Sequence, residues 1–397
     1  MRVLVTSPVF PPELGGPAVY VPSLGRFLAE RGHDVRVIAF GSDPAPQGYP
    51  FAVETIPPGP LPVRYLRAFW RVLRAAGSVD VVYVNEHLAL LHVLAGRLRR
   101  TPVVIRIMVD GSWEIAHRYG WCGGDDIVAF QEKRYGLRVA LTRALQRWWW
   151  RRCARIICCS EFLRQILIRH HGVPEEQAVR IFNAYHGPAP ESVTASRAEA
   201  RRLLDLPADG RIVLTICRLM VWKRVDGILE ALRELPDDVQ LLVAGDGDMD
   251  AEWQRLAGEL GVADRVRWLG NVPHDRIPLL IRAADVFVLN SEYEGLSHTL
   301  LEVLHLGTPI LASHVCGNPE VVEDEVSGLL VDPRDPETLH AALSRVLDDP
   351  ELGCRLAAAA LARRGAFDRE TTFGAVEAQL ARAAGVRAVT PADAGAR

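Results

Sequence analysis

The sequence of 397 residues predicts an α/β protein built from two doubly wound domains. Short apolar runs, typical of buried parallel strands, alternate with helical segments over 1–185 and again over 186–369. The chain is also too long for one ordinary core. We expect a helix at about 370–385 to pack back onto the first domain, and 386–397 to form a flexible tail.

In the first half, each predicted strand is a short apolar run and each predicted helix is a longer mixed segment. Pro17 suits the first turn of a helix, and Gly32 follows its end. Strands are predicted over 3–6, 35–40, 79–84, 103–108 and 155–159, and helices over 17–31, 88–100 and 140–152.

An Ala- and Pro-rich stretch over 184–209 has the composition of a linker, after which the alternation starts again. Strands are predicted over 211–216, 239–243, 266–269, 286–289, 309–312 and 328–331, and helices over 225–234, 250–260, 275–283, 297–306 and 336–347. In such sheets ligands bind beyond the carboxyl ends of the strands, so the loops that follow strands are where functional residues are expected.

Composition excludes several classes of protein. Hydrophobic residues make up 49% and charged residues 24%, which excludes collagen-like and wholly disordered chains. No apolar run reaches 18 residues, and the N-terminal run before Pro8 is too short for a secretory signal, so a cytoplasmic location is expected. The seven cysteines form no C-x-x-C pairs, so no metal site is predicted.

Charge is distributed unevenly between the two halves. Residues 1–185 carry 24 Lys and Arg against 15 Asp and Glu, a net charge of +9, whereas the remainder carries −12. Only Lys133 and Lys223 are lysines. The basic residues follow predicted helices without a recognition motif, so nucleic acid is not an expected partner.

Three tryptophans, 148–150, lie among Arg143, Arg147, Arg151 and Arg152 near the end of a predicted helix. Basic and aromatic residues together can contact an anionic membrane surface. The tryptophans can equally pack in the core of the first domain. Recognition of the acceptor is a third interpretation. We keep all three, together with a peripheral location at the inner face of the membrane.

The most informative segment, 290–302, joins the end of a strand to a helix. The start of that helix offers free N–H groups and the positive end of its dipole, which suits a phosphate, and Ser297 and Thr299 add hydroxyls. Glu294 and Glu302 flank this position and can accept hydrogen bonds from sugar hydroxyls. Alternatively, Glu294 caps the helix and Glu302 lies on a solvated face.

Two cations follow the first strand of the second half. Arg218 comes just after the strand and Lys223 lies five residues later, so that together they can hold a diphosphate. A surface ion pair is the alternative, although one of the two lysines of an arginine-rich chain stands here.

Glycines mark two further loops after strands. Gly15 and Gly16 lie between the first strand and the first helix, where a ligand can approach the backbone closely or an ordinary turn can form. Gly245 and Gly247 resemble part of a dinucleotide fingerprint, but the third glycine is missing, which disfavours a nicotinamide dehydrogenase. We interpret 243–248 as a turn near a nucleotide rather than as a metal site.

Four elements of the sequence, in the order in which they occur, resemble glycosyltransferase family 4, whose members have the GT-B fold. They are the Gly15-Gly16 loop, the Arg218/Lys223 pair, the Gly-x-Gly stretch and the E-x7-E element from Glu294 to Glu302. The segments 307–310 and 317–320 resemble the family as well. The resemblance runs from residue 2 to about 385 and is most specific in the second half. It implies two Rossmann-like domains that face each other across a cleft, the first binding the acceptor and the second the nucleotide sugar.

The resemblance also implies a role for each matching residue. Arg218 and Lys223 would bind the diphosphate of the donor, Glu294 its sugar and Glu302 its ribose. The remaining donor contacts implied are Gly15, Gly16, Gly245, Val272 near the base, Leu296, Ser297, His298 and Thr299.

One departure concerns the end of the strand at 103–108. Many members carry a histidine where Met108 stands here, and the resemblance leaves Asp110 as a candidate for that sugar contact and so for a catalytic role. Glu114 and His117, one helical turn apart, are further candidates, unless they lie on a solvated helix face.

The function implied is retaining transfer of a sugar from a UDP- or GDP-linked donor to a hydroxyl of a small-molecule, glycan or lipid-linked acceptor. Neither a cofactor nor an obligatory metal is implied. Two alternatives remain: a nucleotide-sugar epimerase or hydrolase of the same fold, and a catalytically silent nucleotide-sugar-binding protein.

Overall fold

A computed structural model describes residues 1–13, 15–85 and 89–386. Its contacts divide the chain into two compact units. The first unit contains Met1–His186 and the helix that begins at Arg369, and the second contains Gly187–Asp368. Of the predicted tail, all but Val386 lies outside the described residues.

The first unit is a parallel sheet covered by helices. Its strands are β1 (Arg2–Ser7), β2 (Asp34–Phe40), β3 (Ala52–Ile56), β4 (Val81–Val84), β5 (Val103–Ile107), β6 (Arg155–Cys158) and β7 (Ala178–Arg180). Its helices are α1 (Gly16–Glu30), α2 (Leu61–Ala76), α3 (Leu90–Arg99), α4 (Gly111–Arg118), α5 (Ile127–Glu132), α6 (Leu137–Trp150), α7 (Glu161–His171) and, last in the chain, α16 (Arg369–Ala384).

Within the described residues the strand order of this sheet is β3-β2-β1-β4-β5-β6-β7. The chain therefore starts in the middle and winds outward in both directions, as in a doubly wound fold. Helix α16 packs against α1, β4, β5 and β6. Its buried Phe373 lies edge-to-face against Tyr20 of α1, with ring centroids 5.5 Å apart.

The second unit repeats this plan with its own sheet and core. Its strands are β8 (Arg211–Ile216), β9 (Val239–Ala244), β10 (Val266–Gly270), β11 (Val286–Leu289), β12 (Ile310–Ser313) and β13 (Leu329–Val331). Its helices are α8 (Arg197–Leu203), α9 (Val225–Glu234), α10 (Asp250–Glu259), α11 (Ile277–Ala283), α12 (His298–Leu306), α13 (Asn318–Val321), α14 (Pro336–Asp348) and α15 (Pro350–Ala362).

The order β10-β9-β8-β11-β12-β13, parallel throughout the described residues, brings the carboxyl ends of β8 to β12 to one edge. Strands β8, β9 and β11 contribute Val213, Leu241 and Val288 to one buried core. Both sheets confirm the predicted α/β class.

The structure contains elements that the sequence pattern did not predict. They are the strands β3 and β7 and the helices α2, α4, α5, α7, α13, α15 and, within the supposed linker, α8. Helix α8 begins with a capping box in which Ser196 and Glu199 bond each other's backbone. No helix of the described residues is both long and apolar enough to span a membrane.

Candidate functional site

The predicted donor-binding residues of the second unit lie in loops that follow neighbouring parallel strands. Three of these loops are joined through their backbones. The Glu292 N–H donates to the Trp222 carbonyl at 2.7 Å, and the Gly317 N–H donates to the Glu294 carbonyl at 3.0 Å. The loops after β8, β11 and β12 therefore form one surface at the carboxyl edge of the sheet.

Lys223 and Glu294 meet on this surface. The Lys223 Nζ donates to Glu294 Oε1 at 2.5 Å, and the Ser291 hydroxyl donates to the same oxygen at 2.9 Å. The two charged side chains are only 16% and 11% exposed. Burial by itself would lower the pKa of the lysine, but the Glu294 carboxylate outweighs this and holds that pKa above its ordinary value. Glu294 is thus a buried ion-pair partner, not a helix cap.

Glu302 is also largely buried, with 16% of its side chain exposed. Within the described chain its carboxylate accepts no hydrogen bond, and Nε2 of the exposed His274 lies 3.9 Å from it. Burial raises the pKa of Glu302 to about 7. A buried acceptor without donors is suited to receive the hydroxyls of a ligand, and the solvated face considered as an alternative is wrong.

Arg218 differs from Lys223 in its surroundings. It follows β8 in an exposed position. Its guanidinium makes no ion pair with the part of the chain that the structure describes. Of the two predicted diphosphate ligands, Lys223 is therefore already paired, whereas Arg218 keeps its donors for water or a ligand.

Helix α12 begins as the sequence predicts, next to Glu294 in the chain. Ser297 is its N-cap and accepts a hydrogen bond from the Leu300 N–H at 3.3 Å. Leu296 is buried, and His298 and Thr299 are half-buried in the first turn. The positive end of the helix dipole therefore lies at this edge of the sheet.

Gly245 allows the loop after β9 to approach the loop after β8. Its φ is +131°, and a Cβ at this position would lie 1.9 Å from the Cys217 carbonyl oxygen. Its N–H donates to the Gly270 carbonyl at 2.7 Å. Val272, half-buried, lies two residues beyond Gly270. Only glycine fits at 245, and this close contact places Arg218 next to it.

A set of residues that the sequence did not single out holds the Lys223 and Glu294 loops in place. Glu292 accepts from Arg224 Nη1 at 3.0 Å and from Arg334 Nε at 3.1 Å, in addition to its backbone bond to Trp222. Arg224 itself has a φ of +49°. The sequence feature that could have pointed to Glu292 was its position two residues before Glu294. The partners of both glutamates, however, lie far away in the sequence.

Asp110 does not fit the predicted sugar contact. It is the N-cap of α4 and is 0% exposed. Its carboxylate accepts from the Ser112 hydroxyl at 2.7 Å, from Gln146 Nε2 at 2.6 Å, from Gln131 Nε2 at 2.8 Å and from His171 Nε2 at 2.8 Å.

Burial alone would raise the pKa of Asp110, but His171 and these hydrogen bonds outweigh burial and hold it well below its usual range. Through these hydrogen bonds Asp110 connects α4, α5, α6 and α7, so its role is to stabilise the fold of the first unit. Met108, just after β5, is half-buried.

The other candidates of the first unit have local partners. Glu114 lies 3.8 Å from Arg118, and the His117 ring packs against Trp113 with centroids 5.2 Å apart. Gly15, with a φ of +146°, precedes α1, and Gly16 is its first residue. Both glycines follow β1 in the first unit, and their approach to a phosphate stays a prediction.

The tryptophans of α6 mainly serve the core. Trp149 and Trp150 are buried, and Trp148 is half-buried with the Arg152 guanidinium 4.2 Å from its ring centroid. Among the described residues, no group of three or more His, Cys, Asp or Glu side chains is arranged to hold a metal ion.

Two family models match the chain, one in each half. Residues 14–186 match the model of "Glycosyltransferase Family 4", and residues 196–363 match that of "Glycosyl transferases group 1". Together the models span most of the chain.

Individual proteins agree with the models. An uncharacterized glycosyltransferase of Methanocaldococcus jannaschii is 26% identical over 88% of this chain and 90% of its own length. The alpha-D-kanosaminyltransferase of Streptomyces kanamyceticus is 34% identical, and here the match spans 52% of this chain and about half (54%) of that enzyme.

Among solved structures, Anabaena HepE in complex with UDP and glucose superimposes with a TM-score of 0.77 at 21% identity, covering 96% of this chain and all of HepE. At this identity the likeness shows the fold alone, which is GT-B. With glycosyltransferase models matched in both halves and this fold along the whole chain, the protein belongs to the glycosyltransferases of the family 4 type and is a transferase.

Proposed function

We propose that this enzyme moves a sugar from a nucleoside diphosphate sugar to a hydroxyl of its acceptor, with retention of the anomeric configuration. A UDP-linked donor is favoured over a GDP-linked one because HepE, of the same fold, has been crystallised with UDP and with UDP-glucose.

The Lys223–Glu294 ion pair beside the start of α12 is the observation that carries the proposal. A diphosphate bound at the helix terminus takes the Lys223 ammonium as a counter-charge, and the exposed Arg218 adds a planar fork. Glu294, already oriented by Ser291, then accepts hydrogen bonds from hydroxyls of the donor sugar.

The rest of the donor is assigned to neighbouring loops. The buried Glu302 carboxylate accepts from the ribose hydroxyls, and the backbone at Val272 contacts the base. Residues 296–299 donate to the phosphates, and Gly245 keeps the two loops close. Gly15 and Gly16 of the first unit are proposed to approach the same phosphates.

Catalysis in this proposal is mainly charge stabilisation. The bond from the anomeric carbon to the diphosphate oxygen breaks, and the acceptor oxygen attacks from the face that the diphosphate leaves, giving retention. The acceptor's proton passes to the departing phosphate oxygen. Each well-placed donor on the leaving group contributes about 3 kcal/mol, roughly a hundredfold in rate. The roles are filled by side chains and the helix terminus, and no metal is included.

A thermal-shift panel of nucleoside diphosphate sugars tests the donor site. At about 100 times its dissociation constant, a donor should add roughly 2.7 kcal/mol to the free energy of unfolding. Arg218→Ala should abolish most of that shift without changing the melting temperature of the free protein, because Arg218 is exposed and unpaired among the described residues. A panel without any shift would contradict the proposal.

Product analysis separates the alternatives. A transferase forms a glycosylated product only when acceptor is added, and NMR of its anomeric proton reports retention. An epimerase or hydrolase converts the donor without acceptor. A silent binding protein shifts in the thermal panel and leaves the donor intact.

We further propose peripheral contact with an anionic membrane through α2, not through the tryptophans of α6. Helix α2 exposes Val63, Leu66 and Trp70 on one face, beside Arg67 and Arg74. The helix contains four arginines and no acidic residue. Such a basic amphipathic helix binds best to anionic lipid surfaces.

Vesicle flotation tests this contact. The protein should float with vesicles containing phosphatidylglycerol and not with phosphatidylcholine alone. Leu66→Ser should weaken flotation severalfold, whereas Leu203→Ser, at a similarly exposed leucine of α8, should leave it unchanged. Equal flotation with both vesicle types would exclude the contact.

A further inference from the structure

The first unit contains an apolar cavity that the proposed donor site does not use. It has a volume of about 530 Å³, within the range of small-molecule sites. Helices α2, α3, α4 and α6 form its walls. The apolar lining includes Leu61, Tyr65, Leu90, Leu91, Ile115 and Trp149.

Two of the polar side chains in these walls are already engaged. Ser112 and Gln146 line the cavity, but the Ser112 hydroxyl and the Gln146 amide both donate to Asp110, at 2.7 and 2.6 Å. The Trp149 Nε1 is buried and has no hydrogen-bond partner among the described residues. Most of the lining is nevertheless apolar, so a hydrocarbon ligand fits it best.

Apolar lining residues continue to the surface. Leu61 and Tyr119 are 63% and 65% exposed, and Leu145 is 39% exposed. A hydrocarbon chain that enters the cavity would cover these side chains and remove them from water. Binding of a long apolar group is therefore favoured over binding of a compact polar one.

The helices that form the walls are rich in arginine, although the charged residues of the lining itself are Arg118 and Glu114. Helices α2, α3, α4 and α6 together contain ten arginines and one glutamate, Glu114. Arg118 lines the cavity with its side chain 70% exposed, and Glu114, its ion-pair partner there, is 3.8 Å away. The excess of arginine on these helices, outside the lining, complements an anionic head group held outside an apolar chain.

We infer that the cavity binds the hydrocarbon chain of an anionic lipid, which serves as the acceptor. This inference rests on the proposed transferase function and specifies its acceptor class. The chain occupies the space between the four helices, and the anionic head stays at the mouth near Arg118.

Calorimetric titration of the full chain with alkyl phosphates tests the inference, at concentrations below micelle formation. Dodecyl phosphate should bind at least tenfold more tightly than hexyl phosphate, and inorganic phosphate should not bind detectably. Dodecyltrimethylammonium, with the same chain and the opposite charge, should bind at least tenfold more weakly. Affinity independent of chain length, or equal for both charges, would overturn the inference.

Two variants localise the site. Leu145→Trp fills the cavity and should weaken dodecyl phosphate binding at least tenfold, whereas Leu137→Trp, on the same helix but 85% exposed and outside the lining, should not. Arg118→Gln alters an exposed position, so its fold is retained, and it should reduce the preference for the anionic head. Unchanged binding in both Leu145→Trp and Arg118→Gln would place the ligand elsewhere.

A UDP-glucose thermal shift on the same samples keeps the two proposals apart. If that shift is present while dodecyl phosphate does not bind, the lipid acceptor is wrong and the donor site stands. If dodecyl phosphate binds as expected while no nucleotide sugar does, the donor site fails and the cavity remains a lipid site.

Discussion

The Lys223 ammonium lies 2.5 Å from the Glu294 carboxylate, although 71 residues separate them in the chain. The pair joins the loop after β8 to the loop after β11, at the start of α12. In the free protein the two charges satisfy each other, and a diphosphate would give Lys223 a second anion. The first prediction follows from this arrangement.

Lys223→Ala should lower turnover at least about a hundredfold, because the leaving diphosphate loses a buried counter-charge. Lys133→Ala is the matched control: this other lysine of the chain pairs with Asp125 in the first unit and is 57% exposed. Steady-state kinetics of both variants with the donor found in the thermal panel is the measurement. Near-normal turnover of Lys223→Ala would contradict the role.

The same variant should lose stability, since it leaves Glu294 buried without its cation. The double variant Lys223→Ala/Glu294→Ala should regain part of that stability while turnover stays low, as a double-mutant cycle on unfolding free energy and rate would report.

Sequence patterns predicted strand positions better than side-chain partners. Strand β8 was predicted over the residues it occupies because a buried parallel strand is a continuous apolar run. Helix α2 was missed although it is strongly amphipathic, with Ala68, Val72 and Ala75 recurring at helical spacing on its buried face. The capping box at Ser196 was a readable signal for α8 inside the supposed linker.

The candidate site was predicted as a set of loops, not as a set of contacts. The E-x7-E spacing gives Glu294 and Glu302 different surroundings: the first is bound to Lys223, and the second has no hydrogen-bond partner in the described chain. Spacing along the chain cannot reveal this, because the Lys223 partner of Glu294 comes from another loop. Asp110 resembled a ligand contact for the same reason, since its partners Gln146 and His171 lie 36 and 61 residues away.

The raised pKa of Glu302 makes a prediction about stability. Because the folded state binds this proton up to about pH 7 and an unfolded glutamate only to about 4.5, the free energy of unfolding should fall as pH rises between these values, by roughly 3 kcal/mol. Glu302→Gln should remove this decline. Urea unfolding from pH 5 to 8 compares the two proteins, with Glu259→Gln as a control at an exposed glutamate. If the free energy of unfolding changed with pH in the same way in wild type and Glu302→Gln, Glu302 would have an ordinary pKa.

The affinity for the donor should rise with pH, whereas the free energy of unfolding falls. Only the ionised carboxylate accepts hydrogen bonds with both oxygens, so UDP affinity should rise with pH through about 7 in the wild type and be flat in Glu302→Gln over this range. Calorimetric titration with UDP at several pH values measures this.

Asp110→Asn should destabilise the first unit by about 3 kcal/mol or more at neutral pH, because a buried carboxylate that pairs with His171 is lost. Asp126→Asn should be nearly neutral, since Asp126 caps α5 from a half-buried position and asparagine caps as well as aspartate.

The difference in free energy of unfolding between wild type and Asp110→Asn should be fully present above pH 4. It should shrink at lower pH, where the depressed pKa of Asp110 is finally reached. Chemical unfolding at a series of pH values gives the difference. The thermal shift with UDP-glucose should be the same in both proteins; a lost UDP-glucose shift in a folded Asp110→Asn, with the UDP shift kept, would instead support the sugar contact.

Gly245→Ala should damage both folding and donor binding. The backbone there has a φ of +131°, and the new Cβ would lie 1.9 Å from the Cys217 carbonyl, so one of the two loops has to move. We expect a loss of about 2 kcal/mol or more in the free energy of unfolding, and at least a tenfold weaker UDP affinity because Arg218 moves with its loop. Gly258→Ala, in α10 with open space around it, should instead add about 0.5 to 1 kcal/mol. Urea unfolding and UDP titration of both variants decide this, and a Gly245→Ala protein with wild-type affinity would show that the contact between the two loops does not position Arg218.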